Sequence, residues 1–170
     1  MIKDFTDCIE PVKIPAKINK RHFLAEGKFP IISQEEEFIN GYWNDENDLI
    51  TISKPVVVFG DHTKIFKYID FDFVQGADGV KVLCPKDFLI PKFFYYQLLS
   101  LPLESLGYAR HYKILKEQQL VVPSMKEQER TIEKLDEIYM KIKLAKENFL
   151  KQSLLLEEFE TSILINSFKY

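Results

Sequence analysis

From Ser124 to Tyr170 the chain contains neither proline nor glycine. Over that stretch Leu135, Ile142, Phe149, Leu156 and Ile163 recur on a seven-residue beat. A second row beside them holds Ile138, Ala145 and Phe159 and is interrupted by Gln152. A run without helix breakers predicts one continuous helix, on the order of 60 Å long. Strict seven-residue repetition favours a left-handed coiled coil with another helix. The start is marked as well. Ser124-Met125-Lys126-Glu127 fits a capping box, and Pro123 stands just before it, where a missing N–H costs nothing.

Such a helix has two options, packing along its own domain or pairing with a second helix. It is long for the first, since a hundred-residue domain has a radius of gyration of only ~13 Å. Its remaining faces carry Glu127, Arg130, Glu133, Lys134, Lys141, Lys143, Lys146 and Glu147. A charged surface with a narrow apolar seam asks for a partner helix. Leu150, Leu154, Leu155, Leu164 and Ile165 widen the seam near the end, which suggests contact with more than one helix.

The 170 residues allow one globular domain plus this extension, divided here as 1–123 and 124–170. At 46% hydrophobic and 14% aromatic, the first part can bury a core. Two cysteines, Cys8 and Cys84, are too few for a disulfide framework. No apolar window is long enough to span a membrane. Met1 to Glu10 mixes Asp and Lys with apolar residues, unlike a signal peptide. A reduced, cytoplasmic protein is expected.

The first part reads as strand-rich. Ile31-Ile32 suggests a strand and Asn40-Gly41 a turn. Leu49 to Ile52 and Pro55 to Phe59 are short apolar runs. Residues 65 to 73 alternate, with Ile69, Phe71 and Phe73 on one side and Tyr68, Asp70 and Asp72 on the other. Gly76 and Gly79 bracket a turn before a strand at Val80 to Leu83, and Pro91 fits the start of a helix. The expected class is α+β: a mixed β-sheet domain followed by a long C-terminal coiled-coil helix.

The net charge of −3 is unusual for a binder of nucleic acid, and residues 1–124 hold slightly more acids than bases. Distribution carries more information than the sum. Lys13, Lys17, Lys20, Arg21 and His22 lie together; Lys64 and Lys67 flank a strand; Arg110, His111, Lys113 and Lys116 form a third group. Acids concentrate at Glu35-Glu36-Glu37, at Asp45, Glu46 and Asp48, and at Asp70 and Asp72. If the basic groups share a face, they meet phosphates while the acids face solvent. The plainer reading is ordinary scattered surface charge.

The junction GYARHYKILKEQQLVVPSMKEQERTI, residues 107–132, resembles the boundary between a target recognition domain and its spacer helix in the specificity subunit of type I restriction-modification systems. Gly107, Arg110, His111, Tyr112 and Lys113, then Leu120-Val121-Val122-Pro123, then Glu127, Gln128 and Ile132 carry the likeness. KFPIISQEEEFINGY, VVVFGDHT and QGADGVKVLCP are similar to further stretches of that family, and the match is looser before residue 28. The resemblance implies recognition of double-stranded DNA without catalysis and no cofactor in this chain. It implies docking to a methyltransferase subunit, which binds S-adenosylmethionine, and in complete systems to a restriction subunit. Family members usually carry two recognition domains and two spacer helices, and one of each is present here. The expectation is a half-length subunit, a truncated product or a fragment. A half subunit restores the whole as a homodimer through antiparallel helices, reading two inverted half-sites.

Candidate DNA-binding residues are Lys17, Lys20, Arg21, Gln34, Asn44, His62, Lys64, Lys67, Arg110, His111 and Lys113. Asn40 and Gln75, like Gln34 and Asn44, have the chemistry to read adenine. Candidate partner-helix residues are Leu135, Ile138, Ile142, Phe149, Leu156, Phe159 and Ile163. Arg110-His111-Tyr112 equally suits a structural role at the root of the helix. Trp43 and Tyr42 either contact DNA or close a loop. Enzymatic signatures are missing: no GxGxxG, no GxxxxGK and no Asn-Pro-Pro or Asp-Pro-Pro occurs. His22, His62 and His111 have no zinc-ligand spacing with either cysteine. Asp61-His62-Thr63 reads as a turn, because neighbours on an extended chain point to opposite faces. The alternative function is a coiled-coil adaptor that binds only proteins.

Overall fold

A computed structural model describes residues 1–103 and 110–168. Gly107 of the junction lies outside the described residues. The chain divides into two compact units, Met1–Glu129 and Arg130–Tyr170. The class is α+β, as expected.

Among its described residues the first unit has ten strands: β1 (Ile2–Asp4), β2 (Ile9–Glu10), β3 (Lys17–Asn19), β4 (Phe29–Ile32), β5 (Gly41–Trp43), β6 (Val56–Gly60), β7 (Phe66–Ile69), β8 (Val74–Ala77), β9 (Val80–Pro85) and β10 (Gln119–Val121). One four-stranded sheet has the order β2-β9-β6-β7 and is antiparallel in its pairings. The other has the order β3-β8-β4-β5, with β8 parallel to both β3 and β4. Strand β6 is apolar throughout and buried at every residue, because it is central and covered on both faces. Val56 and Val58 pack with Ile32, Ile50, Ile69, Phe73, Val80 and Cys84. Val57 and Phe59 point the other way. Phe59 meets Phe66 at 4.8 Å between ring centroids and Tyr112 at 6.4 Å. Helix α1 (Pro91–Leu99) contacts β6, β7 and β9, burying Phe93, Phe94 and Leu98. Pro91 is its first residue, where proline's fixed φ is already helical.

Two expectations shift, and one strand pairing was not foreseen. The strand foreseen over 65–73 ends at Ile69, and Phe73 instead makes an isolated bridge to Ile50. Gly76 lies inside β8, not in a turn. A Cβ there would sit 2.7 Å from the Cβ of Ser33, so close packing of β4 against β8 requires glycine. Strand β1, which carries no periodic signal, pairs antiparallel with β10. The amide of Val122 donates to the Met1 carbonyl at 2.7 Å, fastening the start of the chain to the segment before the long helix.

Helix α2 (Tyr112–Lys116) precedes β10. Helix α3 runs from Met125 to Ser167, 43 residues. The glutamate arm of the expected capping box forms, and the Glu127 amide donates to the Ser124 carbonyl at 3.0 Å. Glu127 accepts from the Ser124 amide at 2.9 Å and from the Ser124 hydroxyl at 2.7 Å. Gln128, completely buried, accepts from the Ile90 amide at 2.8 Å and donates to the carbonyls of Phe88 and Pro123.

The second unit is all helix. Leu135 is half-buried, whereas Ile138, Ile142, Phe149, Leu156, Phe159 and Ile163 are exposed. Lys141 pairs with Glu137 at 2.5 Å, one turn back. Among the described residues no helix is long and apolar enough to cross a membrane.

Candidate nucleic-acid interface

Topology decides which loops become neighbours. Strands β3, β8 and β4 run parallel, so the segments that leave them emerge at one edge of the sheet. Those segments carry Lys20 and Arg21, the β8–β9 turn, and Ser33 to Glu35. Gly60 pairs with Val80, which brings the turn after β6 to the same place. The contacts there are direct. The Asp61 amide donates to the Gly79 carbonyl at 2.6 Å. The His62 amide donates to Gln34 Oε1 at 3.2 Å, and Thr63 Oγ1 to the Gln34 carbonyl at 2.6 Å. Gly79 has φ +72°, and a Cβ there would lie 2.8 Å from both Gln34 and His62. Only glycine fits.

The segment after residue 109 docks on the same turn. The His111 amide donates to the Asp61 carbonyl at 3.0 Å, and His111 Nδ1 lies 2.9 Å from that oxygen. The Tyr112 amide donates to the Asp61 carboxylate at 2.7 Å. Asp61 and His111 are both buried. Arg110 and Lys113 flank this contact and are exposed. The ammonium groups of Lys81 and Lys116 stand over the Tyr112 ring, 5.3 and 5.6 Å from its centroid. Burial, and then the Asp61 charge, raise the Tyr112 hydroxyl above the usual phenol range. The turn reading of Asp61-His62-Thr63 agrees with this geometry.

The candidate residues therefore separate. Lys20, Arg21, Gln34, His62 and Lys64 lie on segments that meet at this edge, and Arg110, His111 and Lys113 on the segment clamped to it. Within that set His111 is buried against the Asp61 turn. Lys64 occupies the turn with φ 61°, its amide bonded to the Gly60 carbonyl at 2.8 Å. Lys17 is exposed on β3 opposite Gln75, within the strand rather than beyond its end. Lys20 and Glu35 form an ion pair at 2.7 Å. Their hydrogen bond raises the Lys20 ammonium and lowers the Glu35 carboxyl. One acid of the 35–37 run thus stands among the bases instead of facing away from them.

Two candidates sit elsewhere. Strand β5 runs antiparallel to β4, so Asn44 returns to the beginning of β4, where it accepts from the Lys28 amide at 3.0 Å. Lys67 is buried. Its ammonium donates to the Glu37 carbonyl, to the Phe38 carbonyl at 3.5 Å and to Asn40 Oδ1 at 3.1 Å. Desolvation lowers its pKa. A lysine so committed holds the 37–40 loop. Asn40 also accepts from the Ser33 amide, Gln75 donates to the Val80 carbonyl from a buried position, and Trp43 Nε1 closes a loop onto Asp48 at 2.8 Å. Sequence reasoning passed over Lys81 beside the turn and treated Asp61 only as part of a turn. A lysine adjoining a glycine turn at the start of a strand is the one signal that pointed to the former.

The fold is that of solved type I specificity subunits. Superposition on a chain from a structure described as the basis of complex assembly and conformational transition of the type I R-M system gives a TM-score of 0.78 at 16% identity, over 99% of this chain and 45% of that one. The type I restriction-modification S subunit from M. genitalium gives 0.64 at 16% identity, over 91% of this chain and 43% of that one. The chain belongs to the family of the type I restriction modification DNA specificity domain, whose model matches residues 2–152. It is 35% identical over 104 residues to the type I restriction enzyme EcoR124I/EcoR124II specificity subunit of Escherichia coli. That match takes in 59% of this chain and 25% of the relative, and the chain spans less than half the length of the solved structures it resembles.

Proposed function

We propose that residues 1–123 are a target recognition domain that reads double-stranded DNA, and that residues 124–170 form a spacer helix for partner subunits. The observation that carries the reading is the meeting of the segments bearing Lys20, Arg21, Gln34, His62 and Lys64 at one sheet edge, with Arg110 and Lys113 clamped beside them. Backbone phosphates supply most of the attraction in such an interface, and cations on loops at one edge suit them. Gln34 offers an amide for a base edge, although its Oε1 already accepts from the His62 amide. Lys67 and Asn44 are left out of the interface for the reasons of geometry given above.

In this reading the chain is non-catalytic and binds no cofactor. An adenine methyltransferase subunit brings S-adenosylmethionine, and a restriction subunit joins in complete systems. The helix pairs antiparallel with a second copy through Ile142, Phe149, Leu156 and Ile163, whose exposure in the single chain supports the need for a partner. Two copies would then read inverted half-sites.

The test is duplex binding as a function of salt. Arg110→Ala with Lys113→Ala should weaken binding to mixed-sequence duplex and lower the slope of log affinity on log salt by up to about two. Unchanged affinity and slope would take both residues out of the interface. Light-scattering mass, alone and with a methyltransferase subunit from the same genome, tests the assembly. A monomer that ignores the methyltransferase would favour an adaptor or a fragment.

A further inference from the structure

Asp61 bears a carboxyl group, buried to 3% exposure, on the turn that carries His62 and Lys64. A carboxylate among cations that meet phosphate works against binding unless it does something else. Its surroundings show what that is. Its carbonyl takes both the His111 amide and His111 Nδ1, and its carboxylate takes the Tyr112 amide. Two consecutive residues are thereby held by one residue fifty positions earlier in the chain. The Asp61 amide is bonded in turn to Gly79, so the same residue also ties the 60–65 turn to the β8–β9 turn.

We propose that Asp61 is a positioning residue for DNA recognition: it fixes the 110–116 segment against the 60–65 turn, so that Arg110 and Lys113 are presented together with Lys64. The inference rests on the DNA-reading proposal above. Burial keeps the carboxylate away from the phosphates, and its bond to the Tyr112 amide sets the direction in which the flanking cations leave the segment. The Tyr112 ring on the same residue lies under Lys81 and Lys116.

The experiment compares the full chain with Asp61→Ala, Asp61→Asn and Arg110→Ala/Lys113→Ala. It reads amide hydrogen exchange at Tyr112 and the salt dependence of binding to mixed-sequence duplex. Asp61→Ala should speed exchange at Tyr112 at least tenfold and lower the salt slope as far as Arg110→Ala/Lys113→Ala does. Adding Asp61→Ala to that double variant should lower the slope no further, because the cations it positions are already gone. Asp61→Asn keeps an oxygen acceptor and should restore both readouts. Should Asp61→Ala fail to fold, Asp61→Ser replaces it, its oxygen falling one bond short of the Tyr112 amide.

A folded variant with faster exchange and an unchanged slope would reduce Asp61 to a core cross-link and overturn the proposal. So would slow exchange at Tyr112 in Asp61→Ala, which has no side-chain acceptor left. If the unmodified chain shows no salt-dependent binding to duplex, the DNA reading itself has failed. The exchange arm then still reports whether the clamp exists.

Discussion

Phenylalanine behaves differently in the two units. Phe5, Phe59, Phe73 and Phe94 are fully buried in the first, whereas Phe149 and Phe159 in the second are 69% and 63% exposed. The first unit satisfies its apolar surface with its own residues. The second presents an apolar row with polar neighbours, and a helix of that kind gains its stability from packing against something else. A unit that folds around its own core can display loops with fixed geometry. A helix whose apolar row is uncovered is suited to assembly.

The contrast is broken most forcefully by removing a core ring. Phe59→Ala should destabilise the first unit by about 3–5 kcal/mol, since the ring is enclosed by Phe66, Tyr112 and the strand pair. Urea unfolding followed by near-ultraviolet dichroism reads this, and a loss below ~1 kcal/mol would mean that the site is far looser than its burial indicates. Gln128→Ala comes next. It leaves the partly buried Ile90 amide and two carbonyls without their side-chain partner, at a cost of about 1–3 kcal/mol. A neutral result would show that water replaces the amide and that the first turn of α3 is not anchored by it.

How much of this was legible depends on the range of the signal. The start of α3 was readable because its cap spans only Ser124 to Glu127, and the turn at Asp61-His62-Thr63 because extended neighbours diverge. Parity held more than was taken from it. Lys67 shares its parity with Ile69, Phe71 and Phe73, so the alternation that put those residues inside also put Lys67 inside. Its charge drew it into the list of phosphate contacts, and only the carbonyls of the 37–40 loop explain how a buried ammonium is tolerated. Asn44 was misgrouped because a reversal of strand direction is invisible in composition: β5 runs back along β4 and carries Asn44 to the far end. The pairing of β1 with β10 joins short strands from opposite ends of the first unit, and no local pattern announces it. The Asp61 contacts are equally long-range, which is why a residue read as turn punctuation also bonds His111 and Tyr112.

A smaller effect follows from the cap. The Ser124 hydroxyl, followed by the Ser124 amide, lowers the pKa of Glu127. A carboxyl depressed in the folded state contributes stability that is complete above its unfolded pKa and is lost as pH falls through its folded value. Glu127→Gln should therefore lower stability slightly at neutral pH and match the parent chain once the pH is below the folded value, which flattens the acid limb. If the acid limb of the variant overlays that of the parent chain, the carboxylate in the cap contributes nothing measurable.

Least of all should the stability of the first unit respond to Ile142→Glu with Phe149→Glu. Both side chains are exposed, at 44% and 69%, so charge there removes no internal packing from the single chain. Self-association is where the pair should act. Two carboxylates facing their counterparts across a seven-residue seam would have to be desolvated without partners, a cost that a marginal helix pair does not survive. Sedimentation velocity should show a dimer for the parent chain and a monomer for the variant, with superimposable thermal unfolding of the first unit. A dimer that persists would place the seam on another face, with Leu150, Leu154 and Ile165 the next row to charge. A parent chain already monomeric would instead mean that the row is covered by a different subunit, and the same substitutions should then abolish uptake of the methyltransferase.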